Sequence, residues 1–215
     1  MMKKSNLLLI IVSMLVLFSA CNQDQNEYVT ISTEFGDMTV MLYNSTPKHR
    51  DNFLSLVGQG YYDSLLFHRV IPGFMIQGGD PDSKNARPGQ RLGMGGPGYK
   101  IEAEIGAPHF RGVIAAATDG NPQKASAGSQ FYIVHGRAVD DAMLDQVQQQ
   151  KGLIYSPEQR QLYKEIGGYP PLDNDYTVFG EVVSGIGIVD IIANVDKDPS
   201  NRPVKNIRMM IKKGK

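Results

Sequence analysis

Phe67-His68-Arg69-Val70-Ile71-Pro72-Gly73-Phe74-Met75-Ile76-Gln77-Gly78-Gly79-Asp80 is the stretch on which the reading of this 215-residue chain turns. Two short apolar runs, Leu65–Ile71 and Phe74–Gln77, flank the turn-forming pair Pro72-Gly73. Short apolar runs between Gly and Pro turns suit buried strands. The same texture recurs at Gly112–Ala117, Phe131–Val134 and Val178–Val183. Upstream the period is two: Val29 and Ile31 alternate with Thr30 and Ser32, and Met38, Val40 and Leu42 alternate with Thr39 and Met41. Phe35-Gly36-Asp37 lies between them, which predicts a β-hairpin. Ile207, Met209 and Ile211 alternate in a last strand. One helix is expected after Ser45-Thr46, which offer an N-cap, with Pro47 at its first position, Phe53, Leu54 and Val57 on one face and Gly58 closing it. A second is expected over Gly185–Val195. Many short strands with two helices predict a mainly β fold, an antiparallel barrel or sandwich.

Between residues 137 and 170 the texture changes. Asp140–Gln150 is polar and permits a helix, and Ser156-Pro157-Glu158-Gln159 is a capping box with proline at its first position. Leu162 and Ile166, four apart, offer one narrow apolar stripe. Two short helices in an inserted excursion are expected. At the other end, Lys3-Lys4 and the apolar Leu7–Phe18 form a leader over residues 1–20, too short to span a bilayer. An ordinary secretory leader cut near Ala20 would leave Cys21 incidental. The only cysteine of the chain nevertheless stands directly after Phe18-Ser19-Ala20, which resembles the lipobox of bacterial lipoproteins, where that cysteine becomes the lipidated N-terminus. Residues 21–27 then read as a polar tether, and residues 28–215 as one domain carrying the insertion.

Composition narrows the function. The chain is 41% hydrophobic and 20% charged, so it is expected to fold. Its 22 basic residues balance 22 acidic ones, and without Lys3 and Lys4 the balance is 20 against 22, a net of −2. Nothing there favours a phosphate backbone, and no nucleic-acid partner is expected. One cysteine allows neither an internal disulfide nor a cysteine-rich zinc site, and the four histidines, at 49, 68, 109 and 135, show no metal-ligand spacing. Gly93-Met94-Gly95-Gly96-Pro97-Gly98 matches G-x-G-x-x-G. It leads into alternating Lys100-Ile101-Glu102-Ala103 instead of a helix, and so reads as a glycine loop entering a strand. No metal and no cofactor are expected.

The fourteen residues from Phe67 to Asp80 resemble the signature of the cyclophilins, a family of peptidyl-prolyl cis-trans isomerases. Gly128-Ser129-Gln130-Phe131-Tyr132-Ile133 and the segment Leu172-Asp173 followed by Tyr176-Thr177-Val178-Phe179-Gly180-Glu181-Val182 are similar to two further family segments, in the same order. The resemblance covers about Tyr28 to Lys213, apart from the insertion. It implies an eight-stranded antiparallel barrel closed by two helices, here with a helical insertion, and an enzyme acting on proline-containing polypeptides as a monomer.

Rotation about an X–Pro bond has a barrier near 20 kcal/mol because amide resonance must break. In the twisted state the prolyl nitrogen becomes a better hydrogen-bond acceptor, so a fixed cationic donor lowers the barrier. Arg69 suits that task, and the resemblance makes it the catalytic arginine; a structural arginine capping a turn is the plainer alternative. One donor supplies roughly 3–4 kcal/mol, whereas even a ~10⁶-fold acceleration needs about 8 kcal/mol. The rest must come from a cradle for proline. The resemblance assigns that cradle to Phe74, Met75, Tyr132 and Leu172, with Tyr176 at its rim. Gln77 and Gln130 would orient Arg69 or bind substrate backbone, and Ala117 and Thr118 would border the next subsite. Alone, each apolar residue would read as core. Three departures bear on specificity. Pro171 stands where many members carry an aromatic that contacts cyclosporin, Tyr132 adds a hydroxyl that needs a partner, and Tyr176 replaces a common His. The expected role is folding assistance to exported proteins from a lipid anchor in the bacterial cell envelope, at the outer membrane facing the periplasm. A non-catalytic proline-peptide-binding module or holdase is the alternative.

Overall fold

The structure is a computed structural model that describes residues 26–214. The leader, Cys21 and nearly all of the tether lie outside the described residues. Eight strands form one antiparallel sheet: β1 (Glu27–Thr33), β2 (Gly36–Leu42), β3 (Arg69–Ile71), β4 (Met75–Gly78), β6 (Val113–Ala116), β8 (Phe131–Val134), β9 (Val178–Ser184) and β10 (Met210–Lys213). Their order is β10-β1-β2-β9-β6-β8-β4-β3, while β5 (Lys100–Ile101) and β7 (Ser126–Ala127) make a separate ribbon. The residues leading into β3 and β10 join the two ends. Ser64 N–H donates to the Met209 carbonyl (2.9 Å), Met209 N–H to Leu65 (2.8 Å) and Phe67 N–H to Ile207 (3.0 Å). The sheet therefore curls round until its edges meet, the antiparallel eight-stranded arrangement expected from the sequence.

Alternation along each strand divides the molecule. Ile76, Ile114, Ala116, Phe131 and Ile133 point into the main core with Val29, Ile31, Met38 and Val40. Their neighbours Met75, Val113, Ala115, Tyr132 and Val134 face the other way and pack in a second cluster on the outer face. Helix α1 (Pro47–Gly58) lays Phe53, Leu56 and Val57 on the main core, and α4 (Ile186–Ala193) adds Val189, Ile192 and Ala193. The Phe53 ring meets Tyr62, Phe131 and Phe179 at 5.0, 5.5 and 5.4 Å.

The cap of α1 differs from expectation. Thr46 holds the cap position, but its hydroxyl turns back to the Tyr43 carbonyl at 3.4 Å. Glu104 caps instead, accepting from the backbone N–H groups of Lys48 (3.1 Å) and His49 (3.0 Å). A carboxylate there also complements the positive end of the helix dipole.

The excursion holds two helices, α2 (Asp141–Lys151) and α3 (Pro157–Ile166). It leaves and returns through a neck where Arg137 and Gly168 exchange backbone hydrogen bonds of 3.0 Å. The α3 capping box forms: Ser156 Oγ accepts from Gln159 N–H (3.2 Å) and Gln159 Oε1 from Ser156 N–H (2.9 Å). The expected apolar stripe does not face inward. Leu162 and Ile166 are 37% and 42% exposed, and the helix buries Tyr163 completely. Tyr163 wins because its ring meets Phe110 at 4.5 Å while its hydroxyl reaches Asp173 Oδ2 at 2.7 Å. Its large apolar body is buried and its polar tip is satisfied.

Candidate functional site

The second cluster, on the outer face of β4, β6 and β8, is where the site is built. Strand register sets four residues in one row across four strands: Arg69 on β3 opposite Gln77 on β4, Gln77 opposite Tyr132 on β8, and Tyr132 opposite Ala115 on β6. Phe74 enters from the Pro72-Gly73 turn, in which Phe74 N–H donates to the Ile71 carbonyl (3.1 Å) and Gly73 takes a φ of +73° that favours glycine. Leu172 and Tyr176 arrive from the segment that follows the excursion. Arg69, Phe74, Met75, Gln77, Ala117, Thr118, Tyr132, Leu172 and Tyr176 together enclose a pocket of about 110 Å³. Nine of the ten residues expected at the site therefore share one cavity.

The tenth, Gln130, lines the adjoining groove of about 760 Å³, which Gln77, Ala117 and Thr118 border as well. A chain of amides ties the two spaces together. Arg69 Nη1 donates to Gln77 Oε1 (3.4 Å), Gln77 Nε2 to Gln130 Oε1 (3.0 Å) and Gln130 Nε2 to the Gly95 carbonyl (2.8 Å). The glycine run 93–98 thus forms a groove wall, with no nucleotide-loop geometry: the chain passes from it into β5. Beyond Thr118, Asn121 closes the turn by pairing both its amide groups with Ala125 (2.9 and 2.7 Å).

Arg69 is half-buried, and its Cζ lies 5.8 Å from the Phe74 ring centroid. Among the described residues no carboxylate pairs with it, so Gln77 alone orients the guanidinium through a hydrogen bond. Burial draws its pKa below the ordinary arginine value, with Tyr176 opposing; an arginine nevertheless stays cationic. The site therefore holds a desolvated cation whose remaining N–H donors are uncommitted, beside an apolar pocket.

The Tyr132 hydroxyl has the partner it was expected to need: His109 Nε2 at 2.9 Å. Burial pushes the Tyr132 phenol well above its usual pKa, so it stays protonated. Two supports were not foreseen. Tyr169 packs tilted against Phe74 with ring centroids 4.4 Å apart, and the Arg137 guanidinium lies 5.3 Å from the Tyr169 centroid. Both flank the neck of the excursion, and no motif marked them. Among the described residues no group of three or more potential metal ligands forms a metal-holding cluster.

Comparison with known proteins fits this geometry. Residues 28–213 match the family model described as cyclophilin type peptidyl-prolyl cis-trans isomerase. A Staphylococcus aureus protein, an inferred peptidyl-prolyl cis-trans isomerase, is 36% identical over 185 residues, covering 83% of this chain and 87% of its own length. A Streptococcus pyogenes protein, an inferred bifunctional phosphatase and peptidyl-prolyl cis-trans isomerase, is 37% identical over 187 residues; the chain spans only 37% of that longer relative. A Cryptosporidium parvum cyclophilin type peptidyl-prolyl cis-trans isomerase superposes with a TM-score of 0.63 at 26% identity, covering 88% of this chain and 98% of the other. The same protein in the presence of the dipeptide Ala-Pro gives 0.61 at 27% identity, covering 87% and 99%.

Proposed function

The chain belongs to the family of cyclophilin-type peptidyl-prolyl cis-trans isomerases and carries that family's isomerase function; we propose that Arg69 is its catalytic residue and that it works on exported polypeptides from a lipid anchor. The observation that carries the catalytic assignment is the Arg69 guanidinium, unpaired by any carboxylate among the described residues, on the wall of a pocket of about 110 Å³. Sites for drug-sized ligands run to roughly 300–1,000 Å³. This one has room for a single small ring, as a proline requires.

The mechanism follows from the placement. Phe74, Met75, Tyr132 and Leu172 hold the pyrrolidine ring while the acyl group preceding it turns. As resonance breaks, the prolyl nitrogen becomes pyramidal and its lone pair localises. Arg69 donates to that lone pair, and the interaction is stronger in the twisted state than in either planar isomer. Gln77 holds the guanidinium in place. No proton is transferred and no covalent intermediate forms. The wider groove along Gln130 and the glycine run takes the flanking peptide.

Support for the cellular setting comes from Lys3-Lys4, the apolar run Leu7–Phe18 and Cys21 directly behind it. Lipid on Cys21 would anchor the domain without spanning the bilayer. Asn22, in place of the aspartate that signals inner-membrane retention in some bacteria, favours the periplasmic face of the outer membrane. Cys21→Ser should move the protein from the membrane to the soluble fraction; membrane retention in that variant would refute the anchor.

The test of the activity is exchange spectroscopy of an Ala-Pro peptide by NMR. Acceleration is expected, with a loss on the order of 10²–10³-fold in Arg69→Ala. Acceleration indifferent to Arg69 would sink the catalytic assignment. Binding without acceleration would make the protein a proline-peptide-binding module.

A further inference from the structure

Asp173 directly follows Leu172 and is 4% exposed, yet its carboxylate has a full set of donors. Oδ1 accepts from the His109 backbone N–H (2.7 Å) and from His109 Nδ1 (2.8 Å). Oδ2 accepts from the hydroxyls of Tyr155 (2.6 Å) and Tyr163 (2.7 Å), both from the excursion. Lys151, at the end of α2, adds bonds to the carbonyls of Pro171 (2.6 Å) and Asp173 (2.9 Å). The segment bearing Leu172 is thus gripped from behind by residues of the excursion.

The donors also decide a tautomer. A carboxylate accepts only, so His109 Nδ1 must carry the hydrogen. With Nδ1–H as the ring's single hydrogen, Nε2 is an acceptor, to which the Tyr132 hydroxyl, 2.9 Å away, would donate. A buried path runs from Tyr155 and Tyr163 through Asp173 and His109 to the Tyr132 ring in the proline pocket. Each member is no more than 7% exposed.

We propose that Tyr155, Tyr163, Asp173 and His109 are positioning residues for the isomerase reaction. The excursion holds the Leu172 and Tyr132 walls of the pocket at the spacing that grips proline. It also turns the Tyr132 O–H away from the pocket, so that the proline ring meets the aromatic face alone. The inference rests on the isomerase reading and assigns the excursion a task within it.

The test is steady-state kinetics on an Ala-Pro peptide with Tyr155→Phe, Tyr163→Phe and Tyr132→Phe, singly and with each excursion variant combined with Tyr132→Phe. The cradle holds the proline ring while the acyl group before it turns, so a loosened wall should act on kcat/KM. Each excursion variant should lower kcat/KM roughly threefold to tenfold, the scale of one hydrogen bond. Combined with Tyr132→Phe, the effects should fall short of additive, because both changes break one path. The ¹⁵N spectrum of the His109 ring should show protonated Nδ1 and unprotonated Nε2. A lower Tm with unchanged KM and kcat, additive effects, or a ring protonated on Nε2 would each overturn the proposal. A wild-type protein that fails to accelerate exchange would instead defeat the isomerase reading, and the ring spectrum would still decide the hydrogen-bond order.

Discussion

His68 precedes Arg69, and its burial makes stability depend on pH in a way that can be worked out. The residue is 4% exposed, and desolvation lowers the imidazole from 6.5 to about 4 against the opposing field of Asp80. The unfolded chain takes up a proton there below pH 6.5, and the folded protein only below about 4. His68 therefore contributes its full stability above pH 6.5 and loses it as pH falls toward 4. At 1.36 kcal/mol per unit, the difference of about 2.5 units amounts to about 3 kcal/mol. For a domain of this size that is a fall in Tm of roughly 6–12 °C. Burial lowers His49 and His135 too, with the same sign. The carboxylates held below their ordinary range, such as Glu104 and Asp175, act only nearer pH 4. Urea unfolding between pH 8 and 4, on the protein and on His68→Asn, isolates the His68 share: the variant's stability should decline less steeply between pH 6.5 and 4. A parallel decline in both proteins would show that His68 titrates normally despite its burial. Above pH 5 the ring is neutral and places no second cation beside Arg69, so isomerase activity should hold from pH 8 to about 5.5.

Phe74→Ala takes away one wall of the proline pocket, and even one methylene of apolar contact in such a pocket is worth about 1–3 kcal/mol; peptide binding measured by NMR titration should weaken about tenfold or more, and unchanged affinity would remove Phe74 from the cradle. Gly79→Ala would force a side chain onto a φ of +87° with its Cβ 2.2 Å from the Ser129 carbonyl oxygen, a change expected to cost more than about 3 kcal/mol; a variant melting within two or three degrees of the parent would contradict the close approach. Cyclosporin should bind with a Kd above about 1 μM, because Pro171 offers no aromatic face; tight binding by calorimetric titration would show that the departure at this position is immaterial.

What the sequence could show, and what it could not, follows from the range of each interaction. Arg69, Phe74, Met75 and Gln77 lie within one contiguous motif, and their convergence is a consequence of two short paired strands. The helices of the excursion were legible because capping and turn chemistry are local: Ser156 and Gln159 are three residues apart. Glu104 was not legible as the cap of α1, since 56 residues separate it from Lys48. The His109–Tyr132 pair spans 23 residues, so the hydroxyl's need was readable and its partner was not. The strands β6 and β8 are buried on both faces, and their continuous apolar runs hide which residues face the core and which face the site. Only register separates them.

The meeting of the sheet's two ends has a consequence for how an enzyme of proline-containing peptides avoids being captured by them. An extended polypeptide seeks unpaired N–H and C=O groups, and an open sheet edge offers a row of them. Here Ser64–Phe67 and Ile207–Met209 satisfy one another, and the β5–β7 ribbon is only two residues long on each side. A client is thereby denied the cumulative backbone ladder that would let it add itself as a ninth strand. Its hold on the enzyme is confined to side-chain pockets and a few amides, a grip weak enough to be released once per turnover.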